Sequence, residues 1–223
     1  MEFVEFKDSG RKAKNKLYHV GKYSFSKIEI RHLLIAFVMI LLTIMVHQMG
    51  IATVVEMFPS SAFWIIFGFY FVTIGLGFVL HEMGHKLVAQ YYGFVSEFRA
   101  DFGMLFLMFG IAIFSPMILL APGAVMIYGR PTIKQNGIIS IAGPLVNLCL
   151  AFVFIILSLL FPGGLLSTLF NMGIMVNAFL GIFNMLPFWV LDGKKVLNWS
   201  LKYYLMVMVP LVLIFVGNMF GYI

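Results

Sequence analysis

The pentapeptide His81-Glu82-Met83-Gly84-His85 contains residues whose types and spacing could do chemistry. Two histidines four positions apart lie on one face of a helix, where both imidazoles can bind the same metal ion. Glu82 then lies beside that ion and can act as a general base. The spacing therefore predicts a hydrolytic zinc site with water at the open fourth coordination position.

The same pentapeptide could instead be a polar cluster that holds helices together. It directly follows an apolar run long enough to cross a membrane, however, and ionisable side chains are costly at such a position. Groups that are kept there usually mark functional sites, so metal binding is the favoured interpretation.

The composition predicts an integral membrane protein. The chain of 223 residues is 62% hydrophobic and 11% charged, which is too apolar for the surface of a soluble domain. A helix needs about 20 apolar residues to cross the bilayer core. Segments of this kind occupy residues 33–55, 62–80, 137–160, 165–188 and 203–223. We expect an all-α polytopic membrane protein with about five transmembrane helices.

The basic residues predict the orientation of the chain in the cell membrane. Eight of the fifteen lysines and arginines lie in the first 31 residues, and none lies in the connections 48–61 and 161–164. The positive-inside rule then places the N-terminus in the cytoplasm and these connections outside. It also explains the net charge of +6 without a nucleic-acid partner. Residues 1–26 are interpreted as a polar, basic cytoplasmic leader and residues 27–223 as the membrane-embedded domain.

The start of the first helix can be predicted from Ser26 and Glu29, which have the spacing of a capping box. We expect this helix to begin near Lys27 and to continue into the membrane. The chain before residue 22 is expected to be mobile, and residues 22–30 to contain a short strand or an interfacial turn.

Asp192 is a candidate third ligand. Asn177 and Asn184 share a face of the fourth apolar helix, Pro187 ends that helix, and Asp192-Gly193 follow. A carboxylate at a helix end is often an interfacial cap. Asp192 is nevertheless one of few acids that could complete a zinc site, and an irregular segment could project it inward.

The position of Asp192 depends on the path of residues 102–127. A single crossing there would place Asp192 on the side of the membrane opposite the histidines, whereas a segment that dips in and returns would place it beside them. Arg130 and Lys134 favour the second path. So do the helix breakers Gly103, Gly110, Pro116, Pro122 and Gly123. We expect a re-entrant segment at about 102–128, with extended backbone that can form a β-hairpin.

Three motifs together resemble those of one protein family. His81-Glu82-Met83-Gly84-His85 has the form His-Glu-x-Gly-His, Gly143-Pro144-Leu145-Val146-Asn147 resembles a glycine-rich motif of a middle core helix, and Asn184-x-x-Pro187 with Asp192-Gly193 resembles an aspartate motif. This chain is similar to the site-2 proteases, intramembrane zinc metalloproteases of peptidase family M50, and most to the compact archaeal type. The resemblance implies a three-helix catalytic core and covers about half of the chain.

The resemblance implies one zinc ion per chain with His81, His85 and Asp192 as metal ligands. Glu82 would take a proton from water and pass it to the leaving amine. Site geometry of this kind also accepts other divalent metals.

Either Asn184 or Asn147 could stabilise the oxyanion, and the resemblance favours Asn184. Both could equally be interhelical hydrogen-bonding groups. The implied substrate is a transmembrane protein segment that unwinds locally and adds as a strand to the re-entrant segment. The sequence indicates no particular oligomeric state.

The main alternative function is an ion or proton transporter that uses the His81, Glu82, His85 and Asp192 cluster. Transporters often contain internal repeats with broken helices, and none was found in this sequence. A catalytically silent relative that binds membrane partners is a third possibility, which the intact base and ligand set disfavour.

Overall fold

The structure, a computed structural model, describes residues 3–8, 11–115 and 122–222. Within these residues the chain forms nine α-helices and five β-strands. The helices are α1 (Lys27–Met49), α2 (Ile51–Met57), α3 (Ser61–Tyr70), α4 (Leu76–Tyr91), α5 (Phe102–Phe114), α6 (Ile133–Leu160), α7 (Gly164–Asn184), α8 (Asp192–Trp199) and α9 (Leu201–Met219). The strands are β1 (Phe3–Asp8), β2 (Arg11–Val20), β3 (Tyr23–Ser26), β4 (Val95–Ala100) and β5 (Gly123–Tyr128).

Five helical segments are long and apolar enough to span a membrane, which confirms the predicted fold class. They are α1, the continuous segment Ser61–Tyr91 formed by α3 and α4, and helices α6, α7 and α9. A π-helical turn, Phe71–Gly75, joins α3 to α4 one turn before the histidine motif. Such turns are rare and often lie near functional sites.

Helix α1 begins where the capping box predicts. The Ser26 hydroxyl accepts a hydrogen bond from the Glu29 N–H at 3.1 Å, and the Glu29 carboxylate accepts one from the Ser26 N–H at 3.4 Å. These reciprocal bonds satisfy two backbone donors that a helix start would otherwise leave unpaired.

The leader differs from the expectation of a mobile segment. Strands β1, β2 and β3 form an antiparallel sheet in that order, and β3 lies within the residues 22–30 that were expected to contain a strand or turn. The sheet depends on pairing between segments, which the polar, lysine-rich composition does not reveal.

The described chain on the two sides of the predicted re-entrant segment comes together, but Phe102–Phe114 is helical and packs against α1, where extended backbone was expected. The Asp101 N–H donates to the Pro122 carbonyl at 3.1 Å, and Ala100 pairs with Gly123 where β4 and β5 run antiparallel. Helix α5, between these strands, has 13 residues and is too short to cross the membrane. Residues 116–121 of the predicted segment lie outside the described residues.

The helices alternate in direction, so several functional elements meet at one end of the bundle. We call the end that carries β3, β4 and β5 the sheet end. Helix α1 starts there, α4 ends there, α6 starts there and α7 returns to it before α8. Helix α6 packs along both α4 and α7, which gives the predicted three-helix core.

Candidate metal centre

The structure brings the three predicted ligands together near the sheet end. The Nε2 atoms of His81 and His85 lie 3.0 Å apart, and Asp192 Oδ2 lies 2.9 Å from His85 Nε2 and 3.5 Å from His81 Nε2. All three side chains are buried. Two imidazoles and a carboxylate are a donor set that zinc accepts, so this cluster could hold a metal ion. The role of each residue as a ligand stays a prediction.

The chain after α7 folds back sharply and so delivers Asp192 to the histidines. Helix α7 ends at Asn184, and Pro187 cannot continue it because it lacks an N–H. A Cβ atom on Gly193 would lie 2.8 Å from the Leu186 carbonyl oxygen and still closer to that of Met185. Only glycine therefore lets the start of α8 pack this closely against the end of α7.

The outer nitrogens of both imidazoles are engaged by oxygen acceptors. His81 Nδ1–H donates to Asn147 Oδ1 at 2.6 Å, and His85 Nδ1–H donates to the Ile139 carbonyl at 2.8 Å. This arrangement fixes the tautomer and leaves each Nε2 lone pair free to bind a metal.

Asn147 is held in turn by two neighbouring helices. Its amide Nδ2 donates to the Gly77 carbonyl at 3.3 Å and to Asn177 Oδ1 at 3.1 Å. The Asn177 amide donates to the Gly173 carbonyl within α7. These bonds join α4, α6 and α7 and orient the His81 ring.

Gly143 lets the backbone of α6 pack directly against the two imidazoles. A Cβ atom on this residue would lie 2.6 Å from His81 Nε2 and 2.6 Å from His85 Cε1. Only glycine therefore allows the backbone of α6 to come this close to the two donor atoms. Three buried donor atoms that converge within 4.8 Å of one another are what a bound metal ion requires, so the residues present fit the group.

Glu82 lies in the wall of a cavity of about 160 Å³ next to this cluster. Its side chain is buried and accepts a hydrogen bond from the Val125 backbone of β5. The cavity is lined by all three candidate ligands, by residues of β5, by Asn184 and by apolar side chains. Glu82 therefore faces the same space as the candidate metal site without belonging to it.

The two asparagines proposed for oxyanion stabilisation have different surroundings. The Asn147 side chain accepts a hydrogen bond from His81 and donates one to Asn177 of the neighbouring helix. Asn184 lines the cavity, and its amide donates to the Leu180 carbonyl one turn back in α7 at 3.0 Å. Of the two, Asn184 is the one that lines the cavity, and its role stays a prediction.

Lys195 is a cavity residue that the sequence analysis did not select. Its Nζ lies 3.4 Å from Asp192 Oδ1, the oxygen turned away from the histidines. Burial alone would raise the pKa of Asp192, but the close contacts of its carboxylate with His85, His81 and Lys195 outweigh burial and hold that pKa below its usual range. Lys195 could have been selected from the sequence, because it lies three residues after Asp192 in the same helix, α8.

Comparison with known proteins gives consistent matches. Residues 69–166 match the model of peptidase family M50. The chain is 44% identical over 150 residues to "Putative zinc metalloprotease MJ0611" of Methanocaldococcus jannaschii, across 66% of this chain and 78% of that protein. It is 28% identical over 141 residues to "Zinc metalloprotease MJ0392" of the same organism, across 62% of this chain and 35% of that protein. No solved structure matches the chain significantly.

Proposed function

From the premise that the chain belongs to peptidase family M50, a family of metalloproteases, we propose that it is an intramembrane zinc endopeptidase of the site-2 type. Its substrates would be membrane proteins, cleaved within or near a transmembrane segment. The observation that carries the proposal is the buried His81, His85 and Asp192 cluster, which shares a cavity with Glu82 inside a bundle of apolar helices.

His81, His85 and Asp192 would hold the zinc ion. When bound, zinc supplies Lewis acidity that polarises the scissile carbonyl and makes water more acidic. The hydrogen bonds from Nδ1 of both histidines keep their Nε2 atoms directed at this position.

Glu82 would move the proton. Its carboxylate accepts a proton from the attacking water and then transfers it to the nitrogen of the leaving amine. The Val125 hydrogen bond supports the carboxylate from the side of β5. Burial of the side chain keeps bulk water away from this transfer.

Asn184 would act on the developing oxyanion. Its amide faces the cavity and, after turning from the Leu180 carbonyl, can donate to an oxygen that gains negative charge. Hydrogen bonds of this kind are often not yet aligned in a site without substrate.

Strand β5 would bind the substrate backbone. Within the described part of the chain β5 pairs with β4 alone, and residues Gly123, Ala124, Val125 and Ile127 line the cavity. A helix must unwind before its carbonyls can be attacked, and an unwound segment can pair with an exposed strand edge. The apolar lining fits side chains from a transmembrane segment.

The decisive experiment compares Glu82→Gln with wild type, purified in detergent. We expect about one zinc ion per chain in both proteins, together with loss of cleavage of a membrane-anchored reporter by the variant, because only the proton carrier is removed. Metal content is read by elemental analysis and cleavage by gel mobility. Retained cleavage would remove Glu82 as the base, and ion flux into liposomes that survives Glu82→Gln would favour a transporter instead.

A further inference from the structure

Lys86, the residue directly after the motif, is fully buried. Its Nζ donates to Glu29 Oε1 at 2.7 Å, to Glu29 Oε2 at 2.6 Å and to the Ser96 carbonyl at 3.1 Å. It also lies 4.6 Å above the centre of the Phe25 ring. A lysine without exposed surface is rare and is found where its charge is paired, so this contact is a specific feature of the fold.

The Glu29 carboxylate joins three separate elements. Oε1 accepts a hydrogen bond from the Phe98 N–H of β4 at 2.9 Å, and Oε2 accepts from the Ser26 N–H at the start of α1. With Lys86 of α4, one carboxylate therefore connects α1, α4 and β4. Each of these bonds is directional, so together they set the distance and the register between the motif helix and β4.

The position of β4 determines the position of β5. Phe98 of β4 pairs with Val125 of β5, the residue whose backbone contacts Glu82. The two strands are tightly joined at Gly123, where a Cβ atom would lie 2.7 Å from the Ala100 Cα. We call the two paired strands the β4–β5 ribbon. A shift of β4 would carry β5, and with it the cavity wall, away from Glu82.

We propose that the Glu29–Lys86 ion pair positions the β4–β5 ribbon against α4 so that the β5 edge can receive the substrate backbone. The proposal rests on the proteolytic function proposed above. Glu29 and Lys86 are positioning residues, since they act through Phe98 and Val125 and touch neither substrate nor metal.

The Glu29–Lys86 ion pair contributes more to the position of β4 relative to α4 than to the stability of the fold. A buried ion pair often contributes little net stability compared with apolar residues of similar volume, because both charges lose their hydration. Directional hydrogen bonds fix a register that apolar packing alone leaves free to slide. Removal of the pair should therefore affect substrate binding more than metal binding, whose candidate ligands lie on α4 and α8.

The experiment uses the double variant Glu29→Met/Lys86→Met, which removes both charges together at similar side-chain volume. Lys86→Met alone would leave a buried carboxylate without a counter-charge, and the fold could fail for that reason. Glu29→Gln/Lys86→Met is the conservative comparison, because its amide oxygen can still accept from the Phe98 N–H. Thr43→Val is the matched control, since Thr43 is equally buried in α1 but donates only to the Met39 carbonyl of its own helix.

Three quantities are measured on each full-length protein: zinc per chain, amide hydrogen exchange, and KM and kcat for a membrane-anchored reporter. For the Met/Met variant we expect unchanged zinc, faster exchange in residues 95–100 and 123–128, and a KM raised about tenfold with a smaller change in kcat. The Gln/Met variant should have a KM between those of wild type and the Met/Met variant. Thr43→Val should change neither the amide exchange of the ribbon nor KM.

The proposal would be overturned if amide hydrogen exchange in the β4–β5 ribbon of the Met/Met variant equalled that of wild type. It would also be overturned if this variant had a lower melting temperature but an unchanged KM. If the wild-type protein cleaves no reporter, the proteolytic function fails instead. Ribbon exchange then still decides whether Glu29 and Lys86 position β4 and β5, because it requires no substrate.

Discussion

At the scale of single residues, Gly143 lets helix α6 pack directly against the two histidine rings. A methyl group at this position would lie within 2.6 Å of His81 Nε2. The methyl group would therefore force the two imidazoles, and with them the candidate ligand atoms, to move. Gly68 of α3 provides a comparison, because a Cβ atom there meets nothing within 4 Å.

We predict that Gly143→Ala lowers zinc affinity by at least about 100-fold, the upper part of the range for changes beside metal ligands. Zinc affinity is measured by competition with a chromogenic chelator. Gly68→Ala should keep wild-type affinity. Equal affinities in the two variants would show that the ion binds elsewhere.

The two carboxylate oxygens of Asp192 have different partners, since Oδ1 faces Lys195 while Oδ2 faces the histidines. We predict that Lys195→Met weakens zinc binding about tenfold, because Asp192 loses the contact that keeps Oδ2 turned inward. Lys194 is the matched control, being the adjacent and exposed lysine of the same helix. The test is chelator competition on both variants, and an identical small effect would mean that only net charge matters.

The grouping of the two histidines with the candidate base was predictable at this scale because it depends on residue type and on short spacings along the chain, whereas the prediction of Asp192 needed the path of residues 102–127 and the family resemblance. His81, Glu82 and His85 lie within one helical turn of each other, so helix geometry alone brings them together. The contacts of Asn147 with His81 and of Glu29 with Lys86 join residues 66 and 57 positions apart. No local pattern encodes such pairs, which depend on how the helices pack.

At the scale of elements, the connection from α7 to α8 decides whether Asp192 reaches the histidines. We predict that Gly193→Ala destabilises the protein by about 1–3 kcal/mol and releases zinc, because the added methyl group must push α8 away from the end of α7. Thermal unfolding and zinc content are measured together. Gly110→Ala in α5, where a Cβ atom meets nothing within 4 Å, should change neither.

The long helices were predictable because apolar runs of sufficient length leave few alternatives inside a membrane. The pairing of the strands was less predictable from the sequence. Charge and helix breakers predicted a re-entrant path for residues 102–128, but they did not predict the pairing of β5 with β4, which precedes that segment. The leader sheet was missed for the same reason, since strand pairs depend on contacts between segments.

At the scale of the whole molecule, the alternating helices place the leader sheet, the ribbon and α8 at the same end. We predict that this end faces the cytoplasm, because it carries most of the lysines and arginines. Single cysteines at exposed Glu56 and Lys194, in a Cys149→Ser background, test this with a membrane-impermeant thiol reagent. Only Glu56→Cys should react in intact cells, and both should react after permeabilisation.

The transmembrane segments also differ widely in length. Ser61–Tyr91 has 31 residues and α6 has 28, or about 46 and 42 Å at about 1.5 Å per residue. Helix α9, with 19 residues, measures about 28 Å, close to the hydrocarbon thickness of about 30 Å. The two long segments, which contain His81 and Gly143, must therefore either tilt or extend beyond the hydrocarbon core with their polar ends. Because helix tilt depends on bilayer thickness, we expect lipid acyl-chain length to change how deep the cavity lies relative to the headgroups.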